Sequence, residues 1–199
     1  MTVAGNDSPT SETGPRPATE DFDALYRQVA PALFAWAELR IRPEMRCRVD
    51  PQDLVQEVWL RAVKRFATFE GGHEAFRPWV LTIAKNVLLE SFRKLRSAPR
   101  LEADIGPTTR MLVIEGCPEV ITSFTKRLAK DEAVQKFLEL AGRLDEIDRQ
   151  VLVRCGLEGR GAAEVAREIE MSEDAVVKRW QRLRARLREE TWVEAILAP

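Results

Sequence analysis

The sequence predicts an all-α protein. It would form two small helical domains, a helical bundle and then a C-terminal helix-turn-helix domain, joined by a flexible linker. Three observations predict this. Apolar residues recur at i, i+3, i+4 spacing on both sides of the chain's middle, which is the spacing of a buried helix stripe. No stretch reads convincingly as a strand, and there is no internal repeat. Between Ser97 and about Lys126 the helical pattern lapses around Pro99, Gly106, Pro107, Gly116 and Pro118, as expected of an inter-domain linker. A chain of 199 residues has room for one or two domains.

The elements follow in order. Residues 1–20 are rich in Pro, Gly, Ser and Thr and read as a disordered tail. Residues 21–97 form the first domain. Its first helix carries Phe22, Leu25, Tyr26, Val29 and Leu33, is broken or kinked at Pro31, and resumes through Ile41. Asp50-Pro51-Gln52-Asp53 starts a second helix, with Asp50 as cap and Pro51 in the first turn. That helix turns Leu54, Val55, Val58, Trp59, Ala62, Val63 and Phe66 inward and stops before Glu70-Gly71-Gly72. A third begins near Pro78 and carries Trp79, Ile83, Val87, Leu88 and Leu95. Residues 98–129 are the linker.

Residues 130–192 form the second domain. Val134, Phe137, Leu138 and Ala141 share one face; Leu144, Ile147, Val151 and Leu152 follow after Gly142, up to Gly156–Gly159. Then comes a helix-turn-helix. Glu164–Ile169 is the short first helix, Glu170-Met171 the turn, and Ser172 the cap of the next helix. That helix buries Val176, Trp180, Leu183 and Leu187. Lys178, Gln181 and Arg182 lie where a major-groove helix needs side chains for base edges. Arg179, Arg184, Arg186 and Arg188 suit phosphates. Such turns often use glycine where Glu170 stands, so this turn is strained or altered. Residues 193–199 are a short apolar tail expected to pack on the last helix.

The net charge of −1 argues weakly against nucleic-acid binding, but its distribution does not. Val176–Arg188 holds six cations and no acid, and Arg77–Arg100 six cations and only Glu90. Segregated charge makes local positive fields that the sum hides. Cys47, Cys117 and Cys155 form no CxxC, and His73 is the only histidine, so neither a disulfide framework nor a zinc site is expected. No cofactor is expected. No signal segment or membrane span is visible, which points to the cytoplasm. No Walker loop, metal cluster or nucleophile–histidine pair suggests an enzyme.

Asp53, Gln56 and Glu57 share one exposed helix face, a mixed acidic and amide stripe suited to a basic partner helix. Spacing alone reads equally as a solvated surface. Asp53-Leu54-Val55-Gln56-Glu57-Val58, followed by Phe76, Trp79, Ile83-Ala84-Lys85-Asn86 and Arg93, resembles region two of bacterial RNA polymerase sigma factors. Leu144–Arg188 resembles their region four. Without an intervening region-three domain, the chain is similar to the extracytoplasmic-function (ECF) group. The resemblance covers about Asp21–Ser97 and Lys130–Glu190.

It implies a non-enzymatic promoter-specificity subunit with core RNA polymerase and promoter DNA as partners. Asp53, Gln56 and Glu57 would dock on the β′ clamp helices, and Leu144–Glu158 would sit by the β flap. Phe69, Gly72, His73 and Asn86 would lie where the family captures a flipped base of the minus-ten element. Phe69, Phe76 and Trp79 offer aromatic walls for it, as holding an unstacked base requires. Arg93, Lys94 and Arg96 would track phosphates there. Ser172, Lys178, Arg179, Gln181 and Arg182 would serve the minus-thirty-five element. Two departures stand out: Val177 replaces a common basic residue, and the loop Phe69–Glu74 is acidic and one residue longer than usual. A partner clamping both domains would hide both polymerase-binding faces; in this family it is often an anti-sigma factor, and no residue here identifies one. The alternative is a helix-turn-helix regulator that binds duplex DNA as a dimer without polymerase, although no zipper is visible.

Overall fold

The structure, a computed structural model, describes residues 19–97 and 119–197. Residues 1–18 of the expected N-terminal tail and most of the expected linker lie outside these residues, while Thr19 and Glu20 belong to the first helix. The described chain is helical, with no strand among the described residues. The helices are α1 (Thr19–Arg40), α2 (Pro51–Arg65), α3 (His73–Ser97), α4 (Glu119–Leu128), α5 (Glu132–Gly142), α6 (Glu146–Val151), α7 (Ala162–Glu168), α8 (Glu173–Leu187) and α9 (Glu194–Leu197).

α1 is the axis of the molecule. It continues through Pro31 instead of breaking there. The missing donor costs one backbone bond, and the packing around it compensates. Ala30, Ala32, Leu33, Phe34, Ala35, Trp36 and Ala37 are each at most 3% exposed. A helix buried all round, rather than along one stripe, must be covered on several sides. α2 and α3 cover one side, and α5, α9 and the segment after α6 cover another. One buried cluster therefore runs through both helical groups.

α2 starts as its sequence requires: the Asp50 carboxylate accepts from the Gln52 N–H at 2.6 Å. The Tyr26 hydroxyl, buried against it, donates to the Val55 carbonyl at 3.0 Å. α3 begins at His73, not near Pro78. Pro78 is the sixth residue of α3 and removes one intrahelical bond, yet the helix runs through it, with Phe76 and Val80 on either side buried in the core. α4 forms inside the stretch expected as linker. Its Ile121 and Leu128 are buried, and the fully buried Thr125 hydroxyl donates to the Ile121 carbonyl at 2.9 Å.

α6 passes into a π-helical turn, Leu152–Leu157, closed by the Glu158 N–H on the Val153 carbonyl at 2.9 Å. Gly159 then takes φ 66°, a left-handed value natural to glycine. Ile147, expected inside, is 38% exposed. The C-terminal residues pack mainly on α1 and α5, not on α8 as expected, because Ile196 finds the apolar surface there and is fully buried.

Candidate nucleic-acid interface

α7 and α8 form the expected helix-turn-helix. Val165, Ala166, Val176, Leu183 and Leu187 are buried. Trp180, expected inside, is only partly covered. Ser172 caps α8, its Oγ accepting from the Ala175 N–H at 3.3 Å. Glu173 and Asp174 follow at the positive end of the helix dipole. Glu170 takes φ 55°, so the residue without glycine's freedom does adopt the left-handed conformation. The Met171 N–H closes the turn on the Ala166 carbonyl at 3.0 Å.

Lys178, Gln181 and Arg182 are exposed along one face of α8. Arg179 is engaged elsewhere. It reaches Asp148 at 2.5 Å and Asp145 at 3.5 Å, fastening α8 to α6. Hydrogen bonding to Asp148 raises its pKa further. It holds α8 in place in this conformation, where the sequence suggested a DNA contact. A second network fastens α7: Arg160 binds Glu164 at 2.7 Å and also Glu168, while Arg154 reaches Glu168 at 3.0 Å. Hydrogen bonds from Arg160, aided by Arg154, hold the Glu168 carboxyl down at about 2.

The loop before α3 is built on aromatics. Phe69 is half-buried, with its ring centroid 4.9 Å from Trp79, 5.7 Å from Phe76 and 6.0 Å from Phe66. Phe76 is fully buried, so it is core here and offers no free wall to a base. Phe69 and Trp79 keep part of their surface accessible. Gly71 is the glycine the turn requires: a Cβ there would meet Ala75 Cβ at 2.8 Å and the Phe69 ring at 3.1 Å. Gly72, chosen from the sequence, has open space around it. His73 hydrogen-bonds the Gln28 side chain and so ties the loop to α1. Asn86, Arg93, Lys94 and Arg96 are exposed along α3.

Asp53, Gln56 and Glu57 do not form the exposed face expected of them; all three are half-covered. α4 packs against the same helix, α2. Burial, with the neighbouring Asp50 carboxylate, holds the Asp53 carboxyl above its usual range. Glu57 pairs with Arg61 at 2.5 Å, and Arg61 with Glu90 of α3 at 2.8 Å.

The two helical groups meet at Glu158, which sequence reasoning missed. The π turn and Gly159 swing its side chain inward until it is fully buried. Its Oε1 accepts from the Trp36 indole at 2.8 Å and lies 3.7 Å from Arg40. Its Oε2 lies 3.1 Å from Lys85 and 3.6 Å from Arg160. Arg77 of α3 donates to the Leu157 carbonyl at 3.2 Å, and burial lowers the pKa of its guanidinium. A cleft of about 780 Å³ opens beside this junction, with Arg77, Leu81, Trp180 and Arg184 in its walls. The only local sign of Glu158 in the sequence was the Gly-Leu-Glu-Gly run, which reads as a helix end. Among the described residues no cluster could hold a metal, and no helix is long and apolar enough to cross a membrane.

Comparison with known proteins bears on these surfaces. Residues 25–98 match the family model for Sigma-70 region 2. The chain is 27% identical over 157 residues to the ECF RNA polymerase sigma factor BldN of Streptomyces coelicolor, covering 78% of this chain and 54% of that protein. It is 28% identical over 141 residues to a probable RNA polymerase sigma factor, RfaY, of Xanthomonas campestris pv. campestris, covering 70% of this chain and 33% of that one. It is 31% identical over 75 residues to the ECF RNA polymerase sigma factor SigX of Bacillus subtilis, covering 38% of this chain and 36% of that one. The matched stretch thus spans about half, or less, of the length of these relatives. No solved structure matches at the corresponding level.

Proposed function

We propose that the chain is a sigma factor of the extracytoplasmic-function group, similar in sequence to such factors, which binds core polymerase in the cytoplasm, recognises two promoter elements and promotes strand opening. One observation carries this reading. A segment matching sigma-70 region 2 shares a chain with a separate helix-turn-helix whose α8 presents Lys178, Gln181 and Arg182 to solvent.

The roles divide as follows. Lys178, Gln181 and Arg182 read bases of the minus-thirty-five element in the major groove, with Ser172 at the helix start beside the backbone. Phe69 and Trp79 stack on an unpaired base of the minus-ten element, while Asn86 offers it a polar edge. Gly72 and His73 shape that loop, and Arg93, Lys94 and Arg96 follow phosphates. Asp53, Gln56 and Glu57 meet the β′ clamp helices. The exposed Ile147 of α6 supports a contact between Leu144–Glu158 and the β flap.

Promoter geometry adds a requirement. Elements about 25 base pairs apart are roughly 85 Å apart on B-form DNA, at about 3.4 Å per base pair. Here Lys85, next to Asn86, touches Glu158, twelve residues after α6 begins, at 3.1 Å. Both elements cannot be held from that arrangement, so the two helical groups part when the promoter is bound. An anti-sigma factor remains a candidate partner that would oppose this.

The test is run-off transcription with bacterial core polymerase and sheared genomic DNA of the source organism, followed by mapping of RNA starts. Discrete, protein-dependent starts sharing spaced upstream motifs are expected. Absence of such starts together with absence of core binding overturns the reading. Specific duplex binding by a stable dimer would then favour the polymerase-independent regulator.

A further inference from the structure

On the helical wheel of α2, Leu54, Val55, Val58 and Ala62 point into the core. Asp53, Gln56, Glu57 and Leu60 lie on the opposite side, at i, i+3, i+4 and i+7. A leucine on such a side belongs in water unless something covers it. Leu60 is only 7% exposed. It does not join the main core, and neither does Ile121 of α4, which is 8% exposed. These two buried apolar residues stand apart from the core, and they belong to two helices that pack on each other.

α4 is shaped for covering. Ile121 and Thr125 are buried on one face, with Phe124 partly buried beside them, while Ser123, Lys126 and Arg127 face solvent. The Arg127 guanidinium lies over the Phe124 ring at 5.9 Å. We propose that α4 is an internal lid on the face of α2 that carries Asp53, Gln56 and Glu57, and that a basic partner helix must displace it to dock. The proposal rests on the polymerase-docking reading of that face.

The chemistry of the lid suits displacement. It shelters Leu60 but brings no cation of α4 to Asp53, whose carboxyl is affected by desolvation and by Asp50. A basic partner supplies the missing charge and so outcompetes an apolar cover. Only three residues, 129–131, separate α4 from α5. The next helix is anchored independently, since the Asp131 carboxylate caps it at the Val134 N–H at 3.1 Å. Leu128, buried in the main core, holds the C-terminal end of α4, so the Ile121 end can swing without unfolding α5.

The experiment uses the full chain and core polymerase. Affinity is measured for the unaltered chain, for Ile121→Asp/Phe124→Asp and for Asp53→Ala/Gln56→Ala. Apparent affinity scales with the fraction of open chains, so the lid variant is expected to bind roughly ten-fold tighter. Equal or weaker binding by a lid variant of unchanged helicity overturns the lid. Unchanged affinity of Asp53→Ala/Gln56→Ala overturns the docking face instead. Hydrogen exchange on the unaltered chain then decides the lid by itself. Loss of protection in α4 on core binding supports it, and retained protection overturns it.

Discussion

α2 and α8 are matched in design and opposite in condition. Each has 15 residues and a side-chain cap, Asp50 or Ser172. Each carries polar residues at i, i+3, i+4: Asp53, Gln56 and Glu57 on one, Lys178, Gln181 and Arg182 on the other. The α8 stripe is bare, and the α2 stripe is half-covered on a helix that α4 packs against. Spacing places residues on a face, but the rest of the chain decides whether that face is available. On the proposed reading, the cationic stripe would meet DNA directly, whereas the acidic one would meet a partner only after competition.

The largest expected effect asks whether the two helices belong to one cooperative body. Phe76→Ala removes a fully buried ring and is expected to lower stability by about 3–5 kcal/mol in urea unfolding. If the shared core couples both groups, helicity and the α8-side signal from Trp180 fall together. Two separate transitions would show that α2 and α8 ride on independent units.

Next comes the bare stripe itself. Lys178→Ala or Arg182→Ala is expected to weaken binding to the preferred upstream element by about 1–3 kcal/mol, if the contact is to a base. A uniform loss across all DNA sequences would reassign the residue to a phosphate. The caps allow a finer comparison. Ser172→Ala and Asp50→Ala each remove a side-chain acceptor from a helix start, at a cost of about 1 kcal/mol. Thermal unfolding of both variants would show whether the two helices depend equally on their starts.

The smallest effect is a pH dependence confined to the α7–α8 side. Glu168 has a carboxyl pKa lowered from 4.5 to about 2 in the folded chain. A depressed carboxylate stabilises above its unfolded value, and that contribution fades as pH falls from 4.5 toward about 2. Glu168→Gln is expected to flatten the loss of stability across this window in denaturant titrations at successive pH values. An unchanged slope would mean that Arg160 and Arg154 hold α7 without help from that charge.

Much of this was legible in the sequence, and the reason is local. The Asp50 and Ser172 caps, the helix-turn-helix and the left-handed strain at Glu170 depend on neighbours a few residues away. What escaped depends on distant partners. Trp36 lies 122 residues from Glu158, and Arg179 lies 31 residues from Asp148. α4 carried a readable stripe, Ile121, Phe124 and Leu128, but the prolines and glycines before it dominated the reading. Phe76 looked like a base-stacking wall because aromatic character is visible in a sequence and burial is not.

The indole of Trp36 sits between the two helical groups. It is buried to 0% exposure, and its N–H is held by a carboxylate from the opposite helical group. Indole emission depends on the polarity around the ring. When the groups part, this ring trades a fixed negative neighbour for water. With the other tryptophans replaced, its colour becomes a gauge of separation native to the protein. The proposed opening on promoter binding could then be followed in real time, with no dye attached.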